Sequence, residues 1–365
     1  MTDGGAPCLR PAGHDHCSRL ITSFPTCRWA HGHRSMICVQ FLATALVIVL
    51  AGVPLARYGD VLGEKTGLGR SWIGVVLVAA TTSLPELFTG FGATALAALP
   101  DIAVGDVLGS CMFNLLILSM MDALQPEPIS ARAHQGHALS MGFGLLLLGI
   151  AGLGLLAGAR LPALGWVGVY SPVLIALYFV AMRVIFRHEQ HRRGREVQEV
   201  AEKLQYAGTT VRSAVLRYTG AAVVVVSAAL WLPELGAELA RQTGLGEAFV
   251  GSLFIAITTS LPEIAVSLAA VRIGALDLAI GNVLGSNLFN LLILGLDDVF
   301  YRQGPLLTGV DSSHVATILA VVTMNALFLI GLTYRVMTKR FAVTWDTGAM
   351  AAVYVIAALL AYLLR

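Results

Sequence analysis

Glu86 and Glu263 are the two residues of this chain whose placement most demands a chemical explanation, because each lies deep inside a long apolar run. An ionisable side chain at the middle of a bilayer costs about 2.5–3.5 kcal/mol on insertion scales, so each needs a compensating partner. No lysine or arginine occurs in the apolar stretches 71–98, 101–121 or 276–296, and Arg272 lies beyond the end of 247–270. A metal ion or a proton is then the natural counter-charge. Each glutamate follows the same residues, Thr82-Ser83-Leu84-Pro85 and Thr259-Ser260-Leu261-Pro262. Hydroxyl, carbonyl and carboxylate oxygens are the hard ligands that Ca2+ and Na+ prefer. Pro85 and Pro262 each lack a backbone donor and disrupt a helix about one turn earlier, which is expected to free carbonyls near Ala79 and Ala256 to face an ion. Burial of two protonated acids for packing alone is the plainer alternative, and it would have to have arisen twice.

A facing wall is expected from two further segments. Ser110 and Asn114 are four residues apart and therefore share a helix face, as do Ser286 and Asn290. Gly105 and Gly109, and again Gly281 and Gly285, have the spacing that lets helices approach closely in lipid. Asp106 and its counterpart Asn282 form a second tier, with Asp106 a third anionic ligand, a proton carrier or a residue facing a wet crevice.

These residues need a scaffold, and composition names its class. Of 365 residues, 56% are hydrophobic and 13% charged, about half the charged share of a soluble domain. A water-facing surface cannot be covered so sparsely, whereas a lipid-facing one needs almost no charge. The net charge of +2 carries no nucleic-acid footprint. Apolar stretches long enough to span run at 37–57, 71–98, 101–121, 138–158, 162–186, 213–236, 247–270, 276–296, 311–335 and 343–364. Residues 1–36 are expected to form a disordered N-terminal tail. It holds Cys8, Cys17 and Cys27 with four histidines in no zinc-like spacing, and Met36 is an alternative start. The first apolar run is too long for a secretory signal core.

The stretch 66–86 matches 243–263 at 12 of 21 positions, and GDVLGSCMFNLLIL (105–118) matches GNVLGSNLFNLLIL (281–294) at 11 of 14. The matched residues include polar ones, so generic apolar composition does not explain them. Five spans per copy is an odd number, so the second copy enters the membrane inverted. The fold expected is an all-α integral membrane protein of ten helices in two inverted five-helix repeats, 37–186 and 213–365, joined by a basic loop at 187–212. Inverted repeats place substrate sites at their interface near the midplane. With the basic loop cytoplasmic, sixteen Lys and Arg lie inside against four outside, the tail's four set aside. Both termini are then outside, and the cell (inner) membrane is the expected location.

At TTSLPE, GDVLGSCMFN and GNVLGSNLFN the chain resembles the cation/calcium antiporter superfamily, the sodium/calcium exchanger membrane proteins. The resemblance implies alternating access, with two helices sliding across a rigid core, here the first and sixth spans. Carried over by position, it implies Thr82, Ser83, Glu86, Ser110, Asn114, Thr259, Ser260, Glu263, Ser286 and Asn290 as ligands of transported Ca2+ and of Na+ or H+, with no permanent cofactor. The first half departs from the family pattern at Asp106 and Cys111, which stand where Asn is usual, and Asn290 stands where some members carry Asp. The 187–212 loop is too short for the calcium-sensing domains of animal exchangers, so no such regulation is expected. A passive cation channel is a rival from another class, distinguished by needing no counter-ion. A membrane metalloprotease would need an HExxH helix, which the sequence lacks.

Overall fold

A computed structural model describes residues 29–196, 208–243, 255–339 and 342–363. The chain is almost wholly helical. Its elements are α1 (Trp29–Lys65), α2 (Arg70–Thr82), α3 (Leu84–Leu96), α4 (Pro100–Leu124), α5 (His137–Ala157), α6 (Tyr170–Glu196), α7 (Val211–Thr243), α8 (Ile255–Thr259), α9 (Leu261–Arg272), α10 (Leu276–Phe300), α11 (His314–Tyr334) and α12 (Trp345–Leu363). Among the described residues seven helices are long and apolar enough to cross a membrane, and the bent pair α2–α3 makes an eighth. The remaining two expected spans are α12, whose apolar part is shorter, and 247–270, described only from Ile255.

Several boundaries differ from the sequence expectation. Trp29–Met36, placed in the disordered tail, are already helical, while residues 1–28, with Cys8, Cys17 and Cys27, lie outside the described residues. The basic loop begins later than 187, because α6 continues to Glu196. Polar residues such as Arg, Glu and Gln are good helix formers and carry the helix beyond its apolar stretch. The fifth span begins at Tyr170 rather than 162, since Ala163–Leu164 and Val167–Gly168 pair as a two-residue antiparallel hairpin. Gly165, with a positive φ of 70°, and Trp166 make its turn.

The centre of the molecule is built on α4 and α10. Their apolar windows are 83% and 94% buried, against 22% and 28% for α1 and α7. The pair α1 and α7 packs together at the periphery, with α1 also against α9. Close approach in the core needs glycine. A β-carbon on Gly281 would sit 2.8 Å from the Ser71 carbonyl, and one on Gly285 would run into the Val75 backbone, so α10 lies directly against α2. The equivalent wall for Gly105 and Gly109 falls at 248–252, outside the described residues.

Both glutamate-bearing segments break at the same place. Ser83 has φ −90° and ψ 9°, Ser260 has φ −82° and ψ 8°, and in each case proline opens the following helix. The α2–α3 pair bends by 41° there. The carbonyls of Ala79 and Ala256 are not freed as expected. They accept from the backbone N–H of Ser83 (2.9 Å) and Ser260 (3.1 Å). The missing donors belong to Pro85 and Pro262, so the lost bond is the one to Thr81 and to Thr258, four residues before each proline.

The halves are tied together by reciprocal polar clasps that the sequence reading missed. Asp122, at the end of α4, accepts from Thr344 N (2.8 Å) and Thr347 Oγ1 (2.8 Å) at the start of α12, and from Ile129 N (3.0 Å). Asp298, at the end of α10, accepts from Gly168 N (2.8 Å), Ser171 Oγ (2.5 Å), Tyr170 Oη (2.9 Å) and Leu306 N (2.5 Å). Asp122 and Asp298 are 176 residues apart, as are Gly168 and Thr344, and Ser171 and Thr347. Each half's aspartate thus seats the other half's last span. A second pair of clasps joins His137 to Asp277 (3.0 Å) and His314 to Asp101 (3.2 Å), again with the halves exchanged.

Candidate functional site

The two helix breaks meet at the centre of the molecule. Glu86 occupies the first turn of α3 and Glu263 the first turn of α9, where the unpaired N–H groups and the helix dipole favour a carboxylate. Thr82, Ser83, Glu86, Asp106, Ser110, Asn114, Thr259, Ser260, Glu263, Asn282, Ser286 and Asn290 are all fully buried. Every residue singled out from the sequence is therefore inside, on elements that converge.

The bonds within the cluster cross from one half to the other. Ser83 Oγ donates to Glu263 Oε1 at 3.0 Å, and Ser260 Oγ donates to Glu86 Oε1 at 3.3 Å. Thr82 Oγ1 donates to Asn282 Oδ1 at 3.2 Å, and Thr259 Oγ1 donates to Asp106 Oδ1 at 3.1 Å. The hydroxyls of Thr82 and Ser286 lie 3.4 Å apart, as do those of Thr259 and Ser110. Each threonine-serine break thus orients an acid or amide of the opposite half. One bond lacks a mate: Ser286 Oγ donates to Glu263 Oε1 at 3.2 Å, whereas Ser110 reaches Thr259 instead of Glu86.

What stays unpaired defines the chemistry. Glu86 Oε2, Glu263 Oε2, Asp106 Oδ2 and both side-chain polar atoms of Asn114 and Asn290 are buried without a hydrogen-bond partner among the described residues. Buried polar atoms are normally satisfied, and a carboxylate without a donor or counter-charge is costly. Among the described residues no three His, Cys, Asp or Glu side chains form a compact metal-binding group. The oxygens available are mixed, carboxylate with hydroxyl and amide, which suits a hard cation and not a soft one. Asp106, placed in the second tier, interacts electrostatically with both Glu86 and Glu263 and keeps one oxygen open. Asn282, the other second-tier residue, has its amide engaged on both sides, by Thr82 and by Ser267 Oγ at 3.0 Å. It positions rather than faces the open atoms. Asp297, missed by the sequence reading, is also fully buried, with both oxygens unpartnered among the described residues. Extending the repeat comparison past residue 294 would have matched Asp298 with Asp122 and shown Asp297 as an acid opposite Met121.

On the outer side, Tyr218 of α7 reaches this region. Its hydroxyl donates to the Leu77 carbonyl (3.1 Å) and lies 3.0 Å from Thr81 Oγ1. The contact joins a peripheral helix to the segment that carries the break.

Comparison with known proteins gives a consistent result. The family model described as sodium/calcium exchanger protein matches residues 36–187 and again 213–365. The inner membrane protein YrbG of Escherichia coli is 32% identical over 271 residues, covering 70% of this chain and 79% of YrbG. The sodium/calcium exchanger MaX1 of Methanosarcina acetivorans is 26% identical over 299 residues, 73% of this chain and 84% of MaX1. Among solved structures, the sodium-calcium exchanger NCX_Mj superposes with a TM-score of 0.68 at 20% identity, covering 89% of this chain and 98% of that one. At that identity the likeness speaks for the fold.

Proposed function

Since the chain belongs to the sodium/calcium exchanger protein family, we propose that it is a secondary antiporter exchanging Ca2+ or a related cation for Na+ or H+. It is a transporter and not an enzyme, and a multi-pass membrane protein. The observation that carries the proposal is the pair of buried glutamates, each at a helix break, each oriented by a serine of the other half, and each with one oxygen unpartnered.

In this reading Glu86 and Glu263 supply the two negative charges that one divalent cation cancels. Thr82, Ser83, Ser110, Asn114, Thr259, Ser260, Ser286 and Asn290 supply neutral oxygens around them. Na+ or H+ competes for the same carboxylates, and that competition couples the two fluxes. A cage of bare carboxylates resists transfer through apolar surroundings, whereas a neutralised cage does not. The weakly buried pair α1 and α7 is the moving part, and α4 and α10 are the fixed core.

The arrangement proposed is ten spans as two inverted five-helix repeats, 37–186 and 213–365. The halves' matched helix breaks and exchanged clasps support it. The basic segment between them is placed in the cytoplasm and both termini outside, in the inner membrane, on the distribution of Lys and Arg.

Radioactive calcium uptake into proteoliposomes, with Na+ and H+ gradients imposed separately, tests the proposal and names the counter-ion. Glu86→Gln and Glu263→Gln are expected to abolish gradient-driven uptake. Wild-type uptake in either variant, or calcium flux that needs no counter-ion, would overturn it, the latter in favour of a channel.

A further inference from the structure

The two halves are not equivalent in their acids. Asp106 stands where the second half has Asn282, and Asp297 stands where the first half has Met121, both at an offset of 176 residues. These two symmetry-breaking acids interact electrostatically across the core. Asp297 is fully buried, and among the described residues neither of its oxygens has a hydrogen-bond partner, while Asp106 Oδ2 is likewise open. The carboxyl group of Asp297 lies against Gly90 of α3: a β-carbon there would fall 2.5 and 2.6 Å from its two oxygens. At the corresponding place in the second half stands Ser267, which accepts from Asn282 at 3.0 Å. One half therefore has an amide-hydroxyl bond where the other has a glycine cradle and an open carboxyl group.

A buried carboxyl group without donors must be neutralised. The divalent ion of the glutamate cage is already balanced by Glu86 and Glu263. Ca2+ takes six to eight oxygens, and among the described residues no hydroxyl or amide hydrogen-bonds to Asp297. A monovalent cation, a proton or Na+, fits this setting. We propose that Asp297 is a station for one monovalent counter-cation, lying beside the glutamate cage and present in only one half. The inference rests on the antiport reading and adds a residue outside the ligand set that the family resemblance implies. It means that each cycle moves one more monovalent cation than the two glutamates alone would require.

The test uses the full chain in proteoliposomes, reading the steepness of calcium flux against Na+ and, separately, against H+, together with the charge moved per calcium under an imposed membrane potential. Asp297→Asn, nearly isosteric, is expected to lower the Hill coefficient for the driving cation by about one and to reduce the charge moved accordingly. Gly90→Ala, which keeps the acid and fills the cradle, is expected to do the same and decides the matter if the first variant does not assemble. Loss confined to the Na+ series assigns the station to sodium, and loss confined to the H+ series assigns it to the proton. Unchanged steepness and unchanged charge in both series would overturn the proposal. Failure of the antiport reading shows separately, as gradient-driven uptake persisting in Glu86→Gln.

Discussion

Replacing Ser260 by alanine is expected to damage calcium binding more than replacing Ser83, although the two serines are repeat equivalents. Among the described residues Ser260 is the only side chain that hydrogen-bonds to Glu86, at 3.3 Å. Glu263 Oε1 accepts from both Ser83 (3.0 Å) and Ser286 (3.2 Å). A hydrogen bond to a charged group is worth about 1.5–3 kcal/mol, which corresponds to roughly 10- to 150-fold in an equilibrium constant. Ser260→Ala removes that whole contribution, leaving Glu86 free to turn its open oxygen away from the ion. Ser83→Ala leaves Ser286 in place on the same oxygen, so the expected loss is about 1 kcal/mol, or roughly fivefold. Because Ser83 and Ser286 share one acceptor, their effects are coupled and not additive. The double variant Ser83→Ala/Ser286→Ala is expected to weaken binding by more than the product of the two single changes, down to the Ser260→Ala level. Calcium isotherms on purified protein and the half-saturating concentration for uptake in proteoliposomes measure this directly. Equal losses in Ser83→Ala and Ser260→Ala, or strict additivity at Ser83 and Ser286, would refute the geometric argument.

Four further outcomes follow from particular contacts. Asp298 Oδ2 accepts from Gly168 N and Ser171 Oγ and Oδ1 from Tyr170 Oη and Leu306 N, so Asp298→Asn turns one of these oxygens into a donor facing two donors and is expected to cost about 3 kcal/mol, seen as a lowered melting temperature in detergent. Asp122→Asn is expected to behave alike through Thr344 and Thr347, and unchanged melting in both would remove the clasps from the account. Tyr218→Phe deletes the hydroxyl bonded to Leu77 and Thr81; turnover should change by severalfold at unchanged calcium affinity, and an affinity change without a rate change contradicts the role given to α7. Gly285→Ala forces a β-carbon into the Val75 backbone and should sharply reduce folded yield, by about 1–3 kcal/mol or more of overpacking strain, as gel filtration would report.

Much of this protein is legible in its one-dimensional string because the governing effects are local. A charged share of 13% is enough to assign the lipid-facing class. Pro85 and Pro262 are enough to announce a helix disruption within the preceding turn, although the sequence pointed to the carbonyls of Ala79 and Ala256 and the breaks fall at Ser83 and Ser260. Repetition places Glu86 and Glu263 as equivalents, and the cost of an acid in lipid makes both functional candidates. Tertiary structure alone shows which partner each side chain takes. Ser83 orients Glu263, 180 residues away, and Ser260 orients Glu86, 174 residues away. Packing inside the second half adds Ser286 as a further donor to Glu263, while the interlocking of the halves brings Asp297 onto Gly90 and makes each half's aspartate seat the other half's last helix. Hydrogen bonds act over about 3 Å, and that distance between residues so far apart in sequence exists only after the two halves have packed.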